Sequence, residues 1–427
     1  MSLSRRQFTL LALAPPPRKP NIVFVLADDL GWAELGCYGN TFNETPHLDR
    51  LARDGVRFTQ AYAAAPVCSP TRVSLMTGQH PKTVGITDFL RADDPVHLSP
   101  AKHRSVAKRL AEAGYHTGLI GKWHLMGDYA TRRGDPAKHG FAEVICSESK
   151  YIGPGYYFPP YQHMPEVPSK QSGEYLTDRL NDEAVAFIER SSTPFFLYVA
   201  HYTVHTRLAA KKDIEARFAA KPGASAKKNN PALAAMLWSL DEGIGKMRAA
   251  LERKGAFANT LFVFCSDNGG EDRVTVNGAL RAGKSTLYEG GIRIPFITRF
   301  PHGHHAGKVS DVPIDTLDVM PEFLQQAGSP LTNELAGRPF SRAFTDTKRF
   351  VARPHFWHYP LDAPHFLGGR SAGAVREGDW KLICFYDDNT QELYNLRLDL
   401  SEARNVIADH PAVAAKLRRK FEAWRHS

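Results

Sequence analysis

The chain of 427 residues is poor in cysteine and has no long apolar run, and these two absences exclude several classes of protein. Five cysteines in a chain of this length do not form the disulfide framework on which small secreted domains depend, and no pair has metal-ligand spacing. No stretch approaches the roughly 18 apolar residues that a membrane span needs. Internal repeats and low-complexity tracts are also absent. The length therefore predicts a globular protein with one large domain and a smaller one.

The charge balance is basic, with a formal net charge of +9. A positive surface favours anionic partners, which include nucleic acids and sulfated glycans. The sequence contains no nucleic-acid-binding motif, and its basic residues are scattered rather than grouped. We therefore expect no nucleic-acid partner, whereas an anionic glycan is compatible with the charge.

The first 19 residues are typical of a bacterial twin-arginine export signal. Two arginines at 5–6 precede a short apolar stretch, and Ala-Leu-Ala at 12–14 resembles a cleavage site. The brevity of the apolar stretch and the proline at 15 count against it, and the alternative is a disordered basic tail. We leave residues 1–19 out of the fold and expect a periplasmic or secreted protein.

Four apolar runs rich in β-branched and aromatic residues predict strands that are buried on both faces. Each is followed by polar residues, and helical patterns separate them along the chain. This alternation predicts an α/β fold with a mostly parallel central sheet flanked by helices. The predicted strands are residues 21–27, 115–120, 194–200 and 260–265. The predicted helices are residues 46–54 (with Thr45 as N-cap and Gly55 past the end), 105–113, 174–190 and 231–254.

The sequence changes character after about residue 340. Short stretches at 376–383 and 391–396 predict antiparallel strands, and Asp-Asp-Asn at 387–389 predicts the turn between them. An amphipathic pattern over 411–424 predicts a terminal helix. We therefore predict a catalytic domain over 20–340 and a small C-terminal α+β subdomain with an antiparallel sheet over 341–427.

Cys68 begins the most informative segment, which reads Cys-Ser-Pro-Thr-Arg and continues to Gly78. The segment is expected to open a helix, so that Cys68 would lie in positive potential beside Arg72. Such surroundings predict a reactive side chain. The alternative is a cysteine that packs as a small buried apolar residue.

Carboxylates and an amide follow two of the predicted strands. Asp28 and Asp29 come after the first, and Asp267 and Asn268 come after the fourth. Ligands bind at the carboxyl ends of the strands in open α/β sheets, and Ca²⁺ or Mg²⁺ prefers oxygen ligands. These four residues predict a metal site, whereas each pair alone is also common in turns and helix caps.

Together these segments resemble the type I, formylglycine-dependent sulfatase family of the alkaline-phosphatase-like superfamily. The resemblance covers about residues 20–410, with every motif in family order. It implies an alkaline-phosphatase-like α/β fold and hydrolysis of sulfate monoesters. The motifs that carry it are residues 20–32, 68–78, 121–124, 266–270, 283–295, 378–382 and 392–396.

The resemblance implies a role for each residue of the predicted site. A maturation enzyme would oxidise Cys68 to formylglycine (3-oxoalanine), the nucleophile, which Arg72 would orient. One calcium ion would bind between this residue and the two strand ends. The family's calcium ligands correspond to Asp28, Asp29, Asp267, Asn268 and the modified residue 68. The residues expected around the sulfate are Lys122, His124, His205 and Lys284, with His205 or Lys284 as general acid and His124 as the base that releases sulfate.

His205 departs from the family pattern, which has Pro-His-x-Pro where this chain has Val-His-Thr-Arg at 204–207. His201 lies four residues earlier and is the alternative. We expect His205 to be the catalytic residue.

Substrate specificity is less accessible from the sequence. Aromatic residues over 151–161 suggest a rim on which a sugar stacks, and a carbohydrate sulfate fits this rim and the basic charge better than an aryl sulfate. The alternatives are an arylsulfatase, a phosphonate monoester hydrolase of the same superfamily, or a non-catalytic glycan-binding relative. The candidate substrate-binding residues are His201, His358, Tyr359, His365 and Arg370.

Overall fold

The computed structural model describes residues 18–150, 156–192, 194–225, 228–351 and 353–427. The predicted export signal over 1–17 and the first part of the predicted aromatic rim, 151–155, lie outside the described residues. All five cysteines are free. Within the described ranges, no helix combines the length and the apolar character needed to span a membrane.

A large central sheet forms the framework of the molecule. Its strands are β1 (Asn21–Ala27), β2 (Val56–Tyr62), β3 (His116–Gly121), β4 (Glu143–Ile145), β5 (Phe195–Ala200), β6 (Thr260–Ser266), β7 (Arg293–Arg299), β8 (Lys308–Ser310) and β9 (Ile314–Asp315). The spatial order is β4-β3-β5-β1-β6-β7-β2-β8, and β9 pairs with β2. All four predicted strands are present.

The sheet is mostly parallel, as the sequence predicts. β1 lies between β5 and β6 and runs parallel to both, with Val25 opposite Val199 on one side and Phe264 on the other. β7 runs antiparallel to its two neighbours, β6 and β2. The sequence analysis missed β2 and β7, because neither segment has the uninterrupted apolar character of the four predicted strands.

Helices cover both faces of this sheet, except the C-terminal one (Pro411–Arg425), which packs on the small C-terminal sheet. They are α1 (Pro46–Arg53), α2 (Cys68–Thr77), α3 (Pro81–Val84), α4 (Val106–Glu112), α5 (Leu176–Arg190), α6 (Lys212–Ala219), α7 (Pro231–Arg253), α8 (Glu289–Ile292), α9 (Val319–Gln326), α10 (Thr347–Val351) and α11 (Pro411–Arg425). Val23 and Val25 of β1 pack into a core with α5 and α7. Phe24 and Leu26 pack into a second core with α2, α4 and α9. A strand buried on both faces must be apolar throughout, which explains why β1 was easy to predict.

The predicted helix ends are partly corrected. Ser105 caps α4 as its position suggests, because its side chain accepts a hydrogen bond from the Lys108 amide. Thr45 precedes α1 but does not cap it; its hydroxyl instead accepts a hydrogen bond from the Gly36 amide. Gly55 follows the helix because a Cβ atom there would lie 2.2 Å from the carbonyl oxygen of Thr298 in β7.

The C-terminal part forms a separate antiparallel sheet. Its strands, in spatial order, are β10 (His355–Tyr359), β11 (Ala372–Glu377), β12 (Trp380–Phe385) and β13 (Gln391–Asn395). The predicted turn at 387–389 is confirmed, whereas the single strand predicted over 376–383 is wrong. Gly378 adopts a φ of +60° there and turns the chain from β11 into β12. The division between domains near residue 340 stays a prediction.

A buried ion-pair cluster joins the two sheets. Lys381 of β12 lies 3.0 Å from Glu289 of α8 and 2.9 Å from Glu402, and all three side chains are fully buried. Glu289 also accepts a hydrogen bond of 2.7 Å from the hydroxyl of Tyr62 in β2. Burial opposes ionisation of Glu289, but Lys381 and Arg293 hold its pKa at about 2.

We expect Lys381→Met to destabilise the protein strongly, because it leaves Glu402 buried without its cation and Glu289 with Arg293 at 3.4 Å instead of two partners. Removing one partner of a buried ion pair typically costs about 3–5 kcal/mol of the free energy of unfolding. Urea denaturation measures the loss. The matched control is Lys416→Met, whose ammonium pairs with Glu377 at the surface and should cost less than about 1 kcal/mol. Equal losses from the two variants would contradict this account.

Candidate active site

The carboxyl ends of β1 and β6 meet at one edge of the central sheet and hold the four residues predicted to bind metal. Asp28 and Asp29 follow β1, and Asp267 and Asn268 follow β6. The two strands are parallel neighbours, so the structure brings these side chains together. Cys68 faces them as the first residue of α2.

Cys68 is buried, and its thiol lies 3.5 Å from an Asp28 carboxylate oxygen. Burial raises the pKa of this thiol well above its ordinary value, and the cations Lys122 and Lys284 do not offset the effect. The thiol is thus buried, as in the alternative of a small packed side chain, and its reactivity stays a prediction. The Arg72 guanidinium is directed at Asp267.

Each of the three buried carboxylates has its own cation. Lys122 Nζ lies 2.5 Å from Asp28 Oδ2, and Lys284 Nζ lies 2.7 Å from Asp29 Oδ2. The third pair joins Arg72 to Asp267, with Nη2 at 2.8 Å and Nε at 3.1 Å from the same oxygen. Burial opposes ionisation of Asp28, but Lys122 and His205 hold its pKa below the ordinary value. Each of the three carboxylates therefore lies in contact with one cation.

The oxygen atoms of Asp28, Asp29, Asp267 and Asn268 suit a hard cation such as calcium, whereas Cys68 and His205 add softer sulfur and nitrogen atoms. One ligand atom from each of Asp28, Asp29, Cys68 and His205 lies within 4.8 Å of the others. The amide of Asn268 donates to Asp29 at 2.8 Å, which directs its nitrogen to a protein partner. Its oxygen is buried without a hydrogen-bond partner, and a buried acceptor in this state is well suited to a metal ion.

Two residues of the site have left-handed backbone conformations. Asp29 has a φ of 60° and His124 a φ of 55°. Non-glycine residues rarely adopt this region, and such conformations concentrate at functional sites. In Asp29 the backbone amide donates to Asp267 at 3.2 Å, which ties the two strand ends together.

Lys122 and His124 follow β3 and enter the same site. The Nε2 atom of His124 lies 3.0 Å from the Leu90 carbonyl oxygen, so Nε2 carries the proton and Nδ1 is the free acceptor. Burial, with the nearby charges of Lys122 and Arg72, lowers the pKa of His124 well below its usual range. The ring is therefore neutral, and its Nδ1 is buried without a hydrogen-bond partner.

Glu148 positions this segment and was missed by the sequence analysis. Its buried carboxylate accepts hydrogen bonds from the backbone amides of Trp123 and His124. It also accepts a hydrogen bond of 3.1 Å from Tyr202, which follows β5. No sequence pattern marked Glu148, because it lies in an irregular segment 24 residues from His124.

The structure brings His205 to the site rather than His201. His205 Nε2 lies 3.6 Å from Asp29 Oδ2, and its side chain is 28% exposed. His201 is fully buried and does not line the cavity described below. None of residues 156–161, the described part of the predicted aromatic rim, lines that cavity: the Tyr157 and Tyr161 side chains are buried, and the Tyr157 hydroxyl donates to the His205 carbonyl oxygen.

A cavity of about 650 Å³ opens over residue 68. Its floor consists of buried polar side chains, and its mouth carries exposed arginines and an aromatic ring. The lining residues are Cys68, Phe89, Arg91, Ala92, Lys122, His124, His205, Thr206, Arg207, Arg273, Lys284, His365 and Phe366.

One of the five candidate substrate-binding residues, His365, lines this cavity. The structure does not bring the other four to it. His358 Nδ1 is paired with the Tyr386 hydroxyl at 2.8 Å, and the Tyr359 hydroxyl donates to Asp88 at 3.3 Å. Arg370 forms ion pairs with Asp387 and Asp388. The sequence analysis missed five residues of the mouth, which lie in loops without motif character: Phe89, Arg91, Arg207, Arg273 and Phe366.

Comparisons with known proteins agree with this geometry. The family model described as Sulfatase matches residues 20–329. The chain belongs to the sulfatase family, and its members hydrolyse sulfate esters. A second model, described as N-sulphoglucosamine sulphohydrolase, C-terminal, matches residues 282–427. The expected family, enzyme class and fold are therefore confirmed.

Individual relatives span most of the sulfatase chain. A sulfatase from Formosa agariphila is 30% identical, covering 95% of this chain and 89% of its own. Human arylsulfatase A is 33% identical, and the match covers 88% of this chain and 77% of arylsulfatase A. Among solved structures, Ps i-CgsB in complex with k-i-k-neocarrahexaose is 32% identical with a TM-score of 0.84, covering 95% and 93%.

We expect Glu148→Gln to lower kcat toward 4-nitrophenyl sulfate about 10-fold or more, because small displacements of catalytic groups can cost up to about 10²-fold. The glutamine keeps one acceptor oxygen for three donors, the Trp123 and His124 amides and the Tyr202 hydroxyl, and its NH₂ group faces donors where the second oxygen was, so Trp123 and His124 shift. Steady-state kinetics with a thermal melt measure the effect. The control is Glu166→Gln, whose carboxylate accepts a hydrogen bond from Ser149 at the surface. Unchanged kcat in Glu148→Gln would contradict the positioning role.

Proposed function

We propose that this sulfatase hydrolyses sulfate monoesters of carbohydrates, with formylglycine at position 68 and one calcium ion as cofactors. The observation that carries the proposal is the placement of Cys68, buried at the head of α2 between the Asp28 carboxylate and the floor of a cation-lined cavity. The resemblance of residues 68–78 to the sulfatase motif, whose cysteine is oxidised to formylglycine, favours a modified side chain at this position.

Asp28, Asp29, Asp267 and Asn268, with residue 68, would hold the calcium ion. The unpartnered Asn268 oxygen and the ionised carboxylates support this ligand set. When bound, the ion would act as a Lewis acid that draws in a sulfate oxygen and stabilises negative charge on the nucleophile. Formylglycine, in its hydrated form, would supply two hydroxyls on one carbon, one for attack on sulfur and one for regeneration of the aldehyde.

The chain's own cations bind the sulfate. Lys122 and Lys284 are fixed by their carboxylate partners, so they present charge to the substrate without reorganising during the reaction. Arg72 holds Asp267 through two nitrogen atoms and donates to the Lys122 carbonyl at 2.8 Å. It thereby fixes the strand end, the start of α2 and the segment after β3 relative to one another.

Two histidines are placed to move protons. His205 is the better general acid of the two candidates, because Asp29 holds Lys284 Nζ at 2.7 Å, whereas His205 Nε2 lies 3.6 Å from the same carboxylate oxygen; both side chains line the cavity. His205 would protonate the oxygen of the leaving alcohol. His124, neutral and with a free Nδ1, would accept the proton from residue 68 when sulfate is released.

A carbohydrate substrate is supported by several relatives. N-acetylgalactosamine-6-sulfatase of the rat is 30% identical over 93% of this chain, and Ps i-CgsB was crystallised with an oligosaccharide. The phosphonate monoester hydrolase of Agrobacterium radiobacter shares the fold with a TM-score of 0.73 at 20% identity. A maturation enzyme and export to the periplasm or exterior complete the proposal, and both rest on sequence features alone.

Peptide mass spectrometry tests the modification in protein made together with a formylglycine-generating enzyme. We expect the peptide containing residue 68 to lose about 18 Da relative to cysteine, giving the aldehyde that covalent catalysis uses. Cys68→Ser should abolish turnover of sulfate esters, and Cys37→Ser, outside the cavity, should retain it. Full activity in unmodified protein would contradict the proposal. A phosphonate monoester assayed in parallel identifies the alternative enzyme.

Calcium binding predicts a gain in stability, because a ligand that binds only the folded state shifts the unfolding equilibrium. At a free concentration of about 100 times Kd the gain is about 2.7 kcal/mol. Thermal melts with Ca²⁺, Mg²⁺ or a chelator measure it. Asn268→Ala should weaken the Ca²⁺ effect, whereas Asn333→Ala, at the surface, should not. A melting temperature that does not respond to Ca²⁺ would refute the site.

A further inference from the structure

The mouth of the active-site cavity carries three cations that the proposed hydrolysis does not use. Arg91, Arg207 and Arg273 are exposed, whereas Lys122 and Lys284 on the floor are buried. No carboxylate side chain is among the described residues that line the cavity. The lining therefore carries guanidinium groups at the mouth in addition to the two lysines on the floor.

Arg207 differs from its two neighbours in having no anionic partner. Arg91 lies 2.8 Å from Asp88, and Arg273 lies 2.5 Å from Glu271, so each has a carboxylate partner. Arg207 forms no ion pair or hydrogen bond within the described ranges of the chain. It follows His205 by two residues, at the position where the sequence departs from the family's Pro-His-x-Pro pattern. An unpaired guanidinium beside the general acid is available to an anion of the substrate.

An aromatic platform completes the mouth. The side chain of Phe366 is 73% exposed, although it is large and apolar. Its ring stacks on His365 with centroids 4.2 Å apart, and His365 contacts Phe89 at 5.5 Å. Ligand pockets commonly combine such apolar surfaces with a few polar groups that fix orientation. A sugar ring resting on this surface would extend the substrate beyond the sulfate on the floor.

We propose that the mouth is a subsite for a second anionic group of the substrate, held by Arg207, on the sugar that leaves as the alcohol. The enzyme then selects carbohydrates that carry at least one sulfate or carboxylate besides the sulfate to be removed. Guanidinium groups suit this role, because they bind sulfate-like anions through two parallel hydrogen bonds. The inference rests on the proposed function, since it places the scissile sulfate over residue 68.

Two inhibitors of 4-nitrophenyl sulfate hydrolysis separate the floor from the mouth. Inorganic sulfate fits the floor alone, whereas sucrose octasulfate offers further anions to the mouth. Loss of one hydrogen-bonded charge corresponds to about a 10-fold change in affinity. We therefore expect Arg207→Gln to raise the inhibition constant of sucrose octasulfate by about that factor, and that of inorganic sulfate by less than about 2-fold.

Arg419→Gln is the matched control, because it removes the same charge from an exposed position of α11 outside the cavity. Equal effects of the two variants on sucrose octasulfate would overturn the subsite and leave only a general charge effect. If Arg207→Gln raised the inhibition constants of both inhibitors equally, the subsite would also be overturned, because Arg207 would then bind the same sulfate as the residues on the cavity floor.

Calorimetric titration of sucrose octasulfate into the Cys68→Ala protein distinguishes failure of the subsite from failure of the proposed function. If the protein with formylglycine at position 68 hydrolyses no sulfate ester while binding of sucrose octasulfate to Cys68→Ala still depends on Arg207, the result supports the subsite and refutes the proposed function. Hydrolysis by the modified parent, with binding that ignores Arg207, supports the function and refutes the subsite.

Discussion

The active site depends on the pairing of three buried carboxylates with three buried cations. Asp28, Asp29 and Asp267 lie close together out of water, where like charges repel strongly and hydration is lost. Lys122, Lys284 and Arg72 offset that cost, and each comes from a different segment of the chain. The same pairs fix the positions of the groups that face the cavity. The same six side chains therefore stabilise the site and hold its chemical groups in place.

The sequence predicted the parts of the fold that follow from local pattern. β1 is uniformly apolar because helices cover both sides of it, and α5 and α7 have clear helical periodicity. β2 and β7 escaped prediction because their sequences mix polar and apolar residues, and β7 owes its place to pairing with segments far along the chain. The break between β11 and β12 was missed because a two-residue turn at Gly378 interrupts an otherwise strand-like run.

The site was predictable where motifs mark it and unpredictable where only tertiary contacts do. Asp28, Asp267 and Lys284 lie in recognisable segments, so their convergence was expected. Glu148 acts through the backbone amides of a loop that is distant in the sequence. Arg207 matters because no described residue forms an ion pair with it. Both properties depend on tertiary contacts, which no local sequence pattern reveals. The raised pKa of Cys68 was also not predictable. A position at a helix N-terminus suggested a lowered thiol pKa, whereas burial raises it.

The order of the central strands has a consequence for biosynthesis. β1 is made early, yet the segments it pairs with arrive about 170 and 240 residues later. Until β6 has emerged, the nascent chain has no completed pocket, and residue 68 lies on a polypeptide that has not yet closed around it. During this interval the Cys68 thiol is accessible to other molecules, whereas in the folded protein it is buried. The order of synthesis therefore separates a period of access to this side chain from the state in which it is enclosed.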